Sequence, residues 1–255
     1  IVFLSIIRGP GPAAAPAVQD NTPKATIDPA VVKFIEDVKT AGQRPPRMTE
    51  PRTSLLMRQT TDRAKLTEIS NPVRIKSACM SAEAMLALYR RPKNANDKPI
   101  PNLTAPNGAL GIVDPYFLDE VGLLAGFIVR CLGAQIVAME RIVEVAGNNP
   151  LDAPQRNAAR ELKLAAIATM ENLFASHIPD GHAPDYRTFS QFSDAVIDYS
   201  VVFSRALGRQ EREKLLEKAA KYVEKTPPFL RDNAVRIGRT LTSTECNRMC
   251  KLSSK

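Results

Sequence analysis

Two histidines, His177 and His182, stand in the stretch HIPDGHAPDY (residues 177–186), with Asp180 between them and Asp185 beyond. Imidazole and carboxylate at such short spacing are ligand types of a zinc-like centre, so His177, Asp180 and His182 are the metal candidates this sequence offers. The same stretch carries Pro179, Gly181 and Pro184, which mark a turn-rich connection between helices. A metal centre would also need a supporting shell to fix its ligands. The stretch is therefore read as a solvated loop, with no metal and no cofactor expected. Since both histidines lie in this stretch, a Ser–His or Cys–His nucleophile pair would have to be built there. The chain has no GxSxG elbow, no HExxH, no GxGxxG and no GxxxxGK[ST]. These absences point away from an enzyme.

Four cysteines show no disulfide-framework spacing. Cys79 and Cys131 fall inside apolar helical patterns and read as small buried side chains. Cys246 and Cys250 are one helical turn apart, where a disulfide fits a regular helix poorly. Four free thiols and a reducing compartment are the expectation.

The formal net charge is +8, and it is segregated. Residues 1–100 carry 16 Lys and Arg against 9 Asp and Glu; residues 101–204 carry 6 against 12; residues 205–255 carry 13 against 6. An acidic, apolar middle lies between two basic ends, a pattern suited to RNA, an anionic membrane surface or acidic faces of partner subunits. In the N-terminal third, Arg44, Arg47, Arg52, Arg58 and Arg63 are the candidate docking residues. No Phe, Tyr or Trp occurs between residues 39 and 88, which speaks against base stacking there and for docking on protein, where Arg is favoured.

The elements that must position these residues are helical. Residues 1–51 hold eight of the twenty prolines and read as an extended arm, ordered by neighbouring subunits. Its leading octapeptide IVFLSIIR is apolar but too short to span a bilayer; it reads as a remnant of a targeting segment or the start of a mature protein. One helix interrupts the arm, with Asp28 as cap, Pro29 at the first helical position and Gly42 as stop. A helical pair follows at about 52–69 and 72–91, then a proline-rich connector over 92–113. The core is expected over 114–225: a central helix, a helix over about 153–176, an apolar-striped helix over 189–207 closed by Gly208, and a charged helix over 209–225. A basic extension, 226–255, adds helices near 230–241 and 244–252. The class is all-α, an irregular helical bundle with a long Pro-rich N-terminal arm and a basic C-terminal tail.

Residues 121–139 carry a single charge, Arg130. That length approaches a membrane span, but Arg130 at its middle costs about 2.5–3.5 kcal/mol on insertion scales. A buried central helix explains the same pattern, and there Arg130 requires an acidic partner. Gly122, Gly126 and Gly133 leave a groove suited to close packing of another helix.

The stretch QFSDAVIDY, residues 191–199, resembles a short helix in the coat proteins of flexible filamentous plant viruses. The likeness covers nine residues, and no residue's role is carried over from it. The reading reached from the residues is a non-catalytic accessory or scaffold subunit bound to other protein subunits of a large assembly. The expected setting is mitochondrial and associated with the inner membrane: a respiratory-chain or ATP synthase complex, with contact to the membrane surface. The alternative is an RNA-binding coat, nucleocapsid or ribosomal accessory protein.

Overall fold

The computed structural model describes residues 24–68, 71–91, 112–113, 115–147, 149–175, 186–225 and 228–252. Among them the architecture is all-α, with eleven α-helices. The proposed metal stretch at 177–182 and residues 1–23 of the arm lie outside the described residues.

Helix α1 (Pro29–Ala41) begins as its sequence dictates. Asp28 Oδ1 accepts from the Ala30 amide at 2.9 Å, and Gly42 closes the helix at φ 60°, a left-handed conformation that Gly adopts without steric cost. The backbone ahead of it is fastened to α4 (Pro72–Leu88): the amides of Thr26 and Asp28 donate to the Ser77 and Ser81 hydroxyls at 3.1 and 2.9 Å. The helix expected over 52–69 is broken into α2 (Pro51–Thr60) and α3 (Ala64–Thr67). Thr61 Oγ1 donates back to the Met57 carbonyl and Asp62 Oδ1 accepts from the Ala64 amide, local bonds by which short polar side chains end a helix. After α4, β1 (Arg90–Arg91) pairs antiparallel with β2 (Ile112–Val113). This two-residue ladder brings the ends of the connector together.

A 3-10 turn, Pro115–Phe117, leads into the 29-residue α5 (Leu118–Ala146). Helix α6 (Ala153–Ala175) starts with a reciprocal cap: Asp152 Oδ1 accepts from the Gln155 amide while Gln155 Oε1 accepts from that of Asp152. The helix expected over 189–207 bends at Tyr199 into α7 (Tyr186–Asp198) and α8 (Ser200–Ala206); the bend sets the Tyr199 ring against α5. Then come α9 (Arg209–Lys225), α10 (Pro228–Ser243) and α11 (Arg248–Leu252).

Helix α5 is the axis of the bundle. Helix α7 packs on it most extensively, followed by α4 and α6, with α8, α11 and α3 completing its surround. One cluster of buried side chains runs from Val31 to Met249, so the N-terminal helix and residues 228–252 share the core of α5. The apolar stretch that reads as membrane-length is 72% buried within the fold. The buried charges of α5 are met internally, which suits a core helix.

Glu140 shows how. Its carboxylate takes the Arg205 guanidinium of α8 at 2.9 Å and the Asn247 side-chain amide at 2.5 Å. Asn247 also donates its backbone amide to the Arg205 carbonyl at 3.1 Å. Burial nonetheless raises the Glu140 pKa against the opposing pull of Arg205. A carboxylate with a raised native pKa binds its proton more tightly folded than unfolded. Its contribution to stability therefore falls as pH rises from the ordinary glutamate value, about 4.3, to the raised one. Glu140→Gln should flatten the pH dependence of the melting midpoint across that window. An unaltered profile in the variant would refute this.

Cys246 and Cys250 are brought together, with Cα atoms 5.9 Å apart, within the range of pairs that a disulfide can bridge. The objection to bridging one helical turn does not apply, because Cys246 lies before α11, which begins at Arg248, and the pair is not on a continuous helix. Cys79 and Cys131 are free and buried.

Candidate functional site

The glycines of α5 define its closest contact. Gly122, Gly126 and Gly133 are all buried. A Cβ at Gly126 would stand 2.8 Å from the Gln191 carbonyl oxygen of α7, and one at Gly133 would stand 2.0 Å from the Tyr199 ring. Only an absent side chain admits this approach. Segment 191–199 is therefore the one that lies along the glycines.

Arg130 sits in this seam. Its Nη2 donates to Asp198 Oδ2 at 3.0 Å and its Nη1 to the Gly126 carbonyl at 3.3 Å. The acidic partner that the sequence required is thus on α7. Asp198 is half exposed while Arg130 is buried, so the pair reaches from the core to the surface beside Tyr199. The Tyr199 hydroxyl has a raised pKa because burial disfavours its charged form; the nearby Arg130 and Arg63 pull the other way. Arg63 of the α2–α3 turn is therefore brought near the same seam.

The remaining sequence-singled arginines divide into two kinds. Arg47 is engaged inside the fold: Nε meets Glu120 Oε1 at 3.3 Å and Nη2 meets Asp119 Oδ2 at 3.5 Å. Glu120 is fully buried and also accepts from the Met48 amide at 2.7 Å. Arg44, Arg52, Arg58 and Arg63 are exposed. Arg58 folds back onto Ser54 of its own helix. Arg52 and Arg63 have no carboxylate partner among the described residues, and neither do Arg236 and Arg239 on α10.

Tyr116 was missed by the sequence reading. It stands in the turn before α5 with its side chain half exposed, and the Arg47 and Arg44 guanidinium carbons lie 4.8 and 6.0 Å from its ring centre, within cation–π range. The arginine-rich segment lacks aromatics in sequence but acquires one in space, from about seventy residues downstream. No local pattern could have signalled this.

A buried lysine is paired elsewhere in the bundle. Lys163, only 3% exposed, meets Glu211 Oε1 at 2.6 Å, joining α6 to α9. An open groove of about 600 Å³ runs between α4, α5 and α6, lined chiefly by apolar side chains including Ile128, Leu132, Leu162 and Cys79. Gln135 Nε2 donates to Cys79 Sγ at its floor at 3.2 Å, and burial pushes the Cys131 thiol pKa up, the opposite of what an activated nucleophile needs. Among the described residues, no three His, Cys, Asp or Glu side chains gather closely enough to hold a metal ion.

No protein-family model, curated protein or solved structure matches the chain.

Proposed function

We propose that this chain is a non-catalytic, RNA-binding structural subunit, a coat- or nucleocapsid-like building block that works in a large assembly with other protein subunits. The observation that carries the reading is where the charge ends up. Four carboxylates of the acidic middle are paired within the fold: Asp119 and Glu120 by Arg47, Glu140 by Arg205, Asp198 by Arg130. Arg44, Arg52, Arg63, Arg236 and Arg239 face outward without such partners. A chain of net charge +8 with such outward-facing arginines offers its surplus cations to a polyanion.

The second reading, an accessory subunit of a mitochondrial membrane complex of the respiratory chain or ATP synthase, draws on the apolar length of α5. The enclosure of that helix by six others supplies an account of its composition without a membrane, so we rank this reading below the first.

Salt titration of binding to single-stranded RNA oligonucleotides tests the proposal. Each neutralised phosphate contributes a slope of about −0.7 in log affinity against log salt, so four or five engaged arginines give about −3. Affinity should then fall roughly 60-fold between 50 and 200 mM salt. No binding at low salt, or binding indifferent to salt, would reject it.

A further inference from the structure

We propose that the open apolar groove between α4, α5 and α6 is the seat of this chain's own residues 1–8, IVFLSIIR, which cover the open stripe of α5 within a single molecule. This docking is independent of what the outward-facing arginines bind.

Helix α5 is enclosed on most sides, but one stripe of it lines the groove. Its members recur at about one-turn spacing: Ile128, Leu132, Gln135, Ala138, Ile142 and Val145. From Ile128 to Val145 the stripe is about 26 Å long, at 1.5 Å per helical residue. It is apolar and left open. Ile128, Leu132 and Ile142 are only half-buried, and Val145 is 88% exposed. Ile75 of α4 and Leu162 of α6 stand in the walls. A continuous apolar surface of this kind marks a place where something binds. Because the groove is open, it suits an extended segment, whose outward backbone groups stay hydrated.

The sequence offers an occupant of matching length and composition. In IVFLSIIR all side chains but Ser5 and Arg8 are large and apolar, and Arg8 is the single charge. Fully extended, eight residues span about 26 Å, the length of the stripe. The chain also leaves the described fold at this groove. Lys24 and Ala25 line a hollow that shares Pro72 and Lys76 with it. The Thr26 and Asp28 amides pin the backbone there to Ser77 and Ser81 of α4. Residues 9–23 are the tether between the two, and they reach at most about 50 Å, enough to bring the octapeptide to any point of the groove. A tether this short presents its end to the adjoining groove at an effective concentration on the order of 1 mM. The groove of another copy meets the octapeptide only at the concentration of the protein itself. That difference selects the same molecule over a second copy.

The test places a photoreactive benzophenone side chain at position 3 of the full chain, Phe3→p-benzoylphenylalanine, at about 10 μM protein, roughly a hundredth of the tethered concentration. Irradiation followed by peptide mass spectrometry should join position 3 to residues of α5 or α6 that line the groove. The joined species should be single chains, with a yield that dilution does not change. Val145→Glu should lower that yield by up to about tenfold, the factor that burying one valine supplies. At a position 88% exposed the fold carries this change, which an unaltered melting midpoint would verify. As a second readout, Phe3→Ser combined with Ile6→Ser should vacate the groove and raise the fluorescence of an apolar dye added to the full chain. Joins between two chains, with a yield that rises with concentration, would make a second copy the occupant and overturn the intramolecular seat. Joins scattered outside the groove, or a yield and dye signal indifferent to these substitutions, would overturn the groove as the seat altogether.

Discussion

Gly126→Leu is expected to lower the melting midpoint of the chain by roughly 4–8 °C. The Cβ alone would lie 2.8 Å from the Gln191 carbonyl oxygen and 3.3 Å from Arg130 Nη1. The first of these is backbone in the middle of the α5–α7 contact, so α7 as a whole must retreat. Overpacking of this kind costs about 3 kcal/mol at its upper range. Replacing a helix-interior glycine returns about 1 kcal/mol of propensity, leaving a net loss near 2 kcal/mol, and a chain of this size shifts about 2–4 °C per kcal/mol. The sign is what makes the experiment informative. At Gly238 in α10 an added Cβ meets only Leu216 Cδ2 at 3.9 Å, an ordinary contact, so Gly238→Ala should raise the midpoint by propensity alone. If Gly126→Leu also raised it, α7 would not be packed on that face.

Arg47→Met is expected to destabilise the fold by about 3 kcal/mol, the lower end of the range for breaking a buried ion pair. The cost comes from what is left behind. Glu120 is fully buried, and without Arg47 its carboxylate keeps only the Met48 amide among its described partners. The Arg47 side chain retains 27% exposure, so water screens part of the effect and the upper end does not apply. Glu120→Gln retains an acceptor for Met48 while removing the charge. The double variant Arg47→Met with Glu120→Gln should accordingly recover more than half of the single variant's loss. Losses that simply add, with no coupling between the two positions, would show that the pair is not what holds residues 44–48 against α5.

The ends of several helices were legible because each rests on residues adjacent in sequence. Asp28, Pro29 and Gly42 bound α1, and the start of α9 just after Gly208 follows the same logic. Hydrophobic periodicity located α5 and α6. It failed at Thr61–Arg63 and at Tyr199, where the apolar stripe runs on across a break. There the chain stops for reasons that periodicity does not register: side chains bonding to their own backbone in the first case, a ring lying on a glycine in the second. The need of Arg130 for an acid could be read from its setting, but Asp198 as that acid could not, since the pairing spans 68 residues. Likewise Glu120 reads as a helix-start residue that complements the dipole. Its burial beneath Arg47 follows from the arm crossing the start of α5, a tertiary event. The glycines of α5 suggested a close neighbour, and α7 is found against Gly126, with Tyr199 just beyond its end against Gly133.

The tie between Glu140 and Asn247 has a bearing on how the chain is made. The two residues are 107 positions apart, and α11 beyond Asn247 supplies Met249 and Cys250 to the interior. At about 5–20 residues per second, ribosomal synthesis leaves the Glu140 carboxylate without its amide partner for roughly 5–20 s. During that interval the most apolar helix of the chain has emerged but α11 has not, so part of its surface stays open to other nascent chains or to chaperones. Completion of the interior is thus a late event in biosynthesis, and yield in the cell should respond more to changes near residues 247–250 than their small share of the core would suggest.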